Sequence, residues 1–587
     1  MISLPPLSKL GAILFWAAAL AALQPCRAAS LPPIESATGL VVSAQRLAAE
    51  AGVEMLRKGG NAIDAAVATG YAEAVANPCC GNIGGGGFLT ARLPGGQAVF
   101  IDFRETAPAA ATSGMYLNSA GDVVRGASLF GWRAVAVPGT VLGLDTALAR
   151  FGTLPRATVM APAIRLARDG FVLTTADADI LARGTRLLGS DPTAAAIFLR
   201  PDGTPRRAGD RLVQPALAAT LQAIADHGPD AFYKGPIPTE VETLSRKGGG
   251  LITAADFAAY RAEVTAPLSC DYRGYTILSA PPPSSGGTTI CEALNIISGD
   301  DLHAMGFHGA RSVHLLTEAL RLAFFDRNTE LGDPAFVRNP LDRLLSKSYA
   351  AHLRGLITDR ATPSVALSPV AEEKPQTTHY SVIDAQGGAV SVTFTLNGGF
   401  GAGVMAGDAG FLLNDEMDDF TLKPGVPNQF GLVQGEANAI APGKRPLSSM
   451  APTIVVRDGR VRMVLGSPGG SRIISAVLET LLNVIDYGMD AQEAVDAPRL
   501  HHQWLPDILF AEPFALSPDT QKALEAMGYS IKIQAPWGAV ELIASGSLGQ
   551  TEPSGMPTDS VASHGPKRFA YYGANDPRRP AGAALAP

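Results

Sequence analysis

The sequence predicts a mixed α/β fold, either one large layered unit or two ordinary domains, on three observations. Segments of helical period alternate with segments of strand period along the chain. An apolar content of 47% against 17% charged residues is a globular balance, and Gly and Pro, though plentiful, are spread rather than clustered. Once an N-terminal leader is set aside, roughly 560 residues remain, enough to bury a large core.

The leader is Met1 to Ala28. It carries Lys9, an apolar stretch from Leu10 to Leu23 and a small-residue exit at Cys26-Arg27-Ala28, the plan of a secretory signal peptide. The apolar stretch is shorter than the ~20 residues a spanning helix needs, and Gln24-Pro25 before Cys26 is a poor lipoprotein signal. The expected location is therefore periplasmic or secreted, with no membrane span in the mature chain.

A helix is expected from Gln45 to Lys58, with Leu47, Ala51 and Met55 on one face and a stop at Gly59-Gly60. Asn61 can cap the next, Ala62 to Ala76, which is apolar almost all round and so belongs inside the core. The glycine run Gly81 to Phe88 enters a hairpin, Phe88 to Arg92 and Gln97 to Arg104, turning at Pro94-Gly95-Gly96. Pro138 to about Phe257 reads mainly as helix, and Tyr272 to Ser279 as one strand before the packed corner "PPPSSGG". Asp359 to Gln376, with three prolines and the charges Glu372-Glu373-Lys374, reads as an exposed linker.

Beyond the linker the period changes to two. With Asp384 to Gly388 as a loop, Ile383 falls opposite Ala389, Ser381 opposite Ser391, His379 opposite Thr393 and Thr377 opposite Thr395. One face is then nearly all polar and the other nearly all apolar, and a one-residue slip would mix them. Thr377, Thr395 and Asn397 consequently project together. Further on, Gly469-Gly470 precede a helix expected from Ser471 to Tyr487.

Composition excludes several functions. A net charge of −7 and no Lys/Arg cluster argue against nucleic acid and leave small molecules as the natural partners. The glycine run lacks the Lys-Ser/Thr of a phosphate loop and enters a strand rather than a helix, so nucleotide binding is not expected. Cys79, Cys80, Cys270 and Cys291 have no metal-site spacing and can pair in three ways; neighbouring cysteines close only a strained ring, which favours buried thiols or a long-range bridge. Adjacent His501 and His502 in a strand face opposite ways, so no shared metal is expected, and "GSPGG" lacks the spacing of a serine nucleophile elbow. A threonine at a newly cut chain end needs fewer parts, because its own α-amino group, with a pKa of ~7.7 to 8.0, can take the hydroxyl proton. Thr377, after cleavage of the bond to Gln376, would be such a residue, though a threonine that opens a strand is by itself more often structural than catalytic.

"QTTHYSVID", "TLNGGFGAGVMAGDAGFLLNDEMDDF", "GKRPLSSM", "GSPGGSRII" and "DAPRLHHQWLPD", together with "GGNAIDAAVATGYAEAV", "DFRETAP" and "GANDPR", resemble the γ-glutamyltranspeptidase (glutathione hydrolase) family over nearly the whole mature chain. The resemblance implies a four-layer αββα sandwich of the N-terminal-nucleophile hydrolase type. It also implies autocleavage between Gln376 and Thr377 into a large subunit, 29–376, and a small one, 377–587, which together form one heterodimer. Thr377 would be the nucleophile, Thr395 its hydrogen-bonding partner, and Gly469 and Gly470 the oxyanion donors. Arg104 would clamp the α-carboxylate with Ser448 and Ser449, while Asn397, Glu416 and Asp419 would hold the α-ammonium group.

The implied substrates are γ-glutamyl compounds such as glutathione, with water, amino acids or peptides as acceptors and no metal or organic cofactor. Pro427 to Asn438 resembles the family's lid loop, with Phe430 where several bacterial members carry tyrosine, so a hydroxyl contact to the clamp arginine is lost. "CCGN" departs from the family pattern. A glutaryl-cleaving acylase, a poly-γ-glutamate transpeptidase and an unprocessed periplasmic binding protein remain as alternatives.

Overall fold

Residue type at the element ends explains much of the architecture. The computed structural model describes residues 30–364, 377–546 and 570–587. The leader, Gln376 and most of the expected linker lie outside the described residues. Asn61 caps Ala62–Ala76 by accepting from the Ile63 and Asp64 N–H groups, and the Asp64 carboxylate returns to the Asn61 N–H at 2.8 Å, a reciprocal capping box. Every residue of that helix is buried, because it is packed between the sheet below it and the helices Arg46–Arg57 and Arg156–Asp169.

Two seven-stranded sheets carry the core of the compact unit 33–587. The first runs in the order Ala583–Leu585, Gly39–Ser43, Thr377–Asp384, Ala389–Thr395, Gly86–Arg92, Ala98–Phe103, Glu263–Thr265. The second contains Ile34–Ser36, Tyr571–Ala574, Leu542–Ser545, Arg460–Leu465, Thr453–Arg457, Tyr275–Ser279 and Leu268–Tyr272 in that order. All pairings in both are antiparallel. The sheets face one another, and helices cover each outer face: Ala62–Ala76 and its neighbours on the first, Gly286–Ile297 and its neighbours on the second. The result is the four-layer αββα sandwich.

The pairing of Thr377–Asp384 with Ala389–Thr395 has the register that the polar and apolar faces select, from Ile383 opposite Ala389 to Thr377 opposite Thr395. Its apolar side chains, Tyr380, Val382, Val390, Val392 and Phe394, join the helix-side core. Its polar side chains point into the seam between the sheets and are buried there. They are satisfied across the seam: Ser381 Oγ donates to the Glu541 carbonyl at 2.8 Å and Ser391 Oγ to the Leu465 carbonyl at 3.0 Å. A polar strand face is thus a bonded internal layer, which is how buried hydroxyls avoid the cost of lost water.

Two expectations change. Tyr272 to Ser279 is not one strand: Arg273 and Gly274 take φ of +51° and +78°, and the chain turns back as a hairpin between Leu268–Tyr272 and Tyr275–Ser279. Cys270 bonds Cys291, a long-range bridge of the kind expected, which ties a sheet edge to the helix behind it. Cys79 bonds Cys80, so the neighbouring pair closes a ring that the strain argument disfavours.

Candidate active site

Thr377 opens a central strand of the first sheet, and its Oγ1 lies 3.3 Å from Thr395 Oγ1 on the neighbouring strand. Both residues are buried. The Asn397 N–H donates to Thr395 Oγ1 at 2.8 Å while Asn397 takes φ of +76°, so the strand ends in a left-handed turn built around that hydroxyl. The Asn397 side-chain amide donates to the Asp415 carbonyl at 3.0 Å.

Thr377, Thr395 and Gly86 lie side by side on three adjacent strands. On the fourth strand Phe103 pairs with Gly87, and Arg104 follows it directly. With ~4.8 Å between strands, Arg104 leaves the sheet roughly 14 Å from Thr377 along the same edge. Gly86 has to be glycine there, since a Cβ would stand 2.4 Å from the Phe103 carbonyl and 2.6 Å from a Glu105 oxygen.

Arg104 is fully buried. It donates to Glu416, to Asp419 at 2.5 Å and, through Nε, to the Pro446 carbonyl at 3.2 Å, with Glu105 a further 3.7 Å away. Burial opposes its charge, and the three acids more than offset that. Burial in turn raises the Glu105 and Glu416 carboxyl groups above the usual carboxylate range despite the Arg104 charge, and raises the neighbouring Asp415 as well. The cation and the acids expected on opposite sides of a head group are therefore in direct contact. The Glu416–Asp419 turn is held by Asn414, whose side chain accepts from the Glu416 N–H and donates to the Gly84 and Ala136 carbonyls.

Ser448 and Ser449 lie beside the "PPPSSGG" corner. The Ser448 carbonyl accepts from Ser285 Oγ at 2.6 Å, its hydroxyl accepts from the Met450 N–H, and Ser449 Oγ accepts from Arg327 at 3.1 Å. Gly469 and Gly470 take φ of +144° and +56° and lead through one tight turn into the helix Ile473–Ile485, which begins two residues later than the pattern predicts. A side chain at Gly470 would strike the Phe430 ring, 2.5 Å away. Phe430, in the segment that resembles the family's lid loop, is buried and its ring lies against that turn.

The contacts that fasten the segment around Phe430 come from residues the sequence does not single out. Gln503 donates to the Phe430 carbonyl at 2.9 Å, and its amide oxygen accepts from Ser471 Oγ at 2.6 Å and lies 2.8 Å from His501 Nε2. One buried amide thus links the lid to the turn after Gly470. Asn428 accepts from the Phe430 and Leu432 N–H groups. His501 and His502 use different partners, Ser475 with Gln503 and Asp507 respectively, and burial holds both largely neutral.

Two stacked antiparallel sheets between helical layers, with a threonine opening a central strand beside a second hydroxyl, are the architecture of the N-terminal-nucleophile hydrolases. The γ-glutamyltranspeptidase family model matches residues 48–586, and the chain belongs to that family. A glutathione hydrolase proenzyme of Pseudomonas sp. (strain A14) is 52% identical over 569 residues, 96% of this chain and 97% of that one. The glutathione hydrolase proenzyme of Escherichia coli (strain K12) is 47% identical over 93% of this chain and 91% of its own. Among solved structures, a cephalosporin acylase from Bacillus halodurans superposes with a TM-score of 0.81 at 26% identity, covering 96% of this chain and 98% of that one. Among the described residues no helix is long and apolar enough to cross a membrane.

Proposed function

We propose that the chain is an exported γ-glutamyltransferase and glutathione hydrolase that matures by cutting itself between Gln376 and Thr377. The observation that carries this reading is the pair of buried hydroxyls, Thr377 and Thr395, 3.3 Å apart at the start of a central strand in a chain of this family. In maturation Thr377 Oγ adds to the Gln376 carbonyl, the peptide C–N bond breaks, and water hydrolyses the resulting ester. The leader 1–28 is removed on export to the periplasm or beyond, and 29–376 and 377–587 stay together as a heterodimer.

In turnover the new α-amino group takes the Thr377 hydroxyl proton while Oγ adds to the substrate's γ-carbonyl. Gly469 and Gly470 N–H groups receive the oxyanion, and the leaving amine, the Cys-Gly part of glutathione, departs with that proton. The γ-glutamyl ester then passes to water or to the amine of an amino acid or peptide. Arg104, with Ser448 and Ser449, takes the α-carboxylate; Asn397, Glu416 and Asp419 take the α-ammonium. The contact of Arg104 with Glu416 and Asp419 supports this assignment, because a zwitterionic head group supplies one partner for each side of that internal ion pair.

The likeness to a cephalosporin acylase favours a second reading, cleavage of glutaryl side chains. Such an acyl group has no α-amino group to meet the Glu416 and Asp419 carboxylates, so the γ-glutamyl reading accounts for more of the site. Denaturing electrophoresis and assay of a chromogenic γ-glutamyl anilide test it. Wild type is expected as two fragments that release the anilide product, and Thr377→Ala as one inactive chain. Two-fragment maturation of Thr377→Ala would overturn the reading.

A further inference from the structure

Arg327 stands in the last turn of the helix Ala310–Glu330 and is buried to 1% exposure. Its hydrogen bonds go to neutral groups: Nε to Ser285 Oγ at 3.0 Å, Nη1 to Asn328 Oδ1 and Gln434 Oε1 at 2.8 Å each, and Nη2 to Ser449 Oγ at 3.1 Å. Among the described residues no carboxylate lies within ion-pair distance of it. A buried cation without its own anion is costly, and here neutral hydrogen-bond acceptors alone offset that cost. Burial indeed lowers its pKa to about 10, and the charges that act on it from nearby are Asp419 and Arg104, both in the candidate site.

The contacts converge on the two serines assigned to the α-carboxylate. Arg327 donates to Ser285 Oγ, and Ser285 Oγ donates onward to the Ser448 carbonyl. Arg327 also occupies an acceptor position of Ser449 Oγ, which turns that hydroxyl's proton away from the guanidinium and leaves it for another acceptor. Through Gln434, whose amide donates to the Asp419 carbonyl at 3.1 Å, the same guanidinium reaches the end of the lid segment.

We propose that Arg327 is a positioning residue for the acyl donor's α-carboxylate: it orients the Ser449 hydroxyl as a donor, braces the Ser448 backbone through Ser285, and adds a second positive charge to the Arg104 end of the pocket. The proposal rests on the γ-glutamyl reading of the site. The packed "PPPSSGG" corner acquires a role in it, since Ser285 relays the contact.

Calorimetric titration of the processed protein with L-glutamate and with 4-aminobutanoate, which keeps the amine but lacks the α-carboxylate, tests it without turnover. Arg327→Met is expected to weaken L-glutamate at least tenfold and 4-aminobutanoate less than twofold, and Arg327→Lys to recover part of the loss. Because Arg327 acts through Ser449, Arg327→Lys combined with Ser449→Ala should cost less than the product of the two single effects. If Arg327→Met does not mature, Arg327→Lys carries the same comparison. Equal weakening of both ligands, unchanged glutamate affinity, or multiplying effects in the double variant would each overturn the proposal. A wild-type protein that binds glutamate but hydrolyses no γ-glutamyl anilide would instead overturn the parent reading.

Discussion

Thr395→Val removes one hydroxyl at nearly constant shape from the centre of the candidate site. Two consequences can be worked out separately. The Asn397 N–H, buried in a left-handed turn, loses its 2.8 Å acceptor, and an unsatisfied buried donor costs ~1–3 kcal/mol. Thr377 Oγ loses its 3.3 Å neighbour. If that hydrogen bond helps carry the proton during attack on Gln376, the same ~1–3 kcal/mol on the barrier slows maturation roughly 5- to 150-fold. The backbone ladders to Thr377 and Gly86 are untouched, so folding should survive with a thermal midpoint a few degrees lower. Pulse-labelled precursor followed on denaturing gels gives the maturation rate, and Thr395→Ser should restore most of it. A variant that loses stability but matures within twofold of the wild-type rate would refute the coupling of the two hydroxyls.

Gln503→Leu unties the Phe430 carbonyl from Ser471, and steady-state assay with a γ-glutamyl anilide should show kcat/KM down by about tenfold or more at one buried hydrogen bond's worth; an unchanged value would remove Gln503 from the lid. Gly466→Ala would place a Cβ 2.3 Å from the His379 ring, which Thr393 and Ser381 hold at 2.8 and 3.1 Å. That overpacking should cost ~1–3 kcal/mol or more in thermal or urea unfolding, and full stability would contradict the seam packing. Burial raises the Glu73 carboxyl from 4.5 to about 7 despite donors from Ser43, Asn77 and Thr378. The native state then keeps a proton that the unfolded chain releases above pH 4.5, so this group's contribution to stability falls as pH rises through that window, by on the order of 3 kcal/mol. Urea unfolding at both ends should therefore show Glu73→Gln gaining on wild type at the higher pH, and a constant difference would count against a neutral Glu73.

What could be read in advance was local. The register of Thr377 against Thr395 follows from a period of two whose slip exchanges every inward and outward side chain, and the Asn61 cap from a residue type with one preferred place. The destination of the polar face was not readable: Ser381 and Ser391 look like a wet surface until a second sheet, distant in sequence, offers the Glu541 and Leu465 carbonyls. Arg327 and Gln503 escaped for the same reason, since their partners lie 122 and 73 residues away. The hairpin at Arg273-Gly274 leaves only a lone Arg-Gly pair between Tyr272 and Tyr275 as its mark in the sequence, and that Gly274 reverses the chain there with φ of +78° is a matter of geometry. Motif likeness brought Arg104, Glu416 and Asp419 together, whereas their mutual ion pairing is a matter of geometry alone.

In the proposed mechanism a chain end made by self-cleavage supplies both the attacking hydroxyl and the base. Edman sequencing of the smaller fragment from purified, exported protein is its most direct test. The first residue is expected to be threonine, followed by Thr-His-Tyr-Ser, which places the cut before Thr377. A fragment beginning elsewhere, or an uncut protein with full γ-glutamyl hydrolase activity, would contradict it.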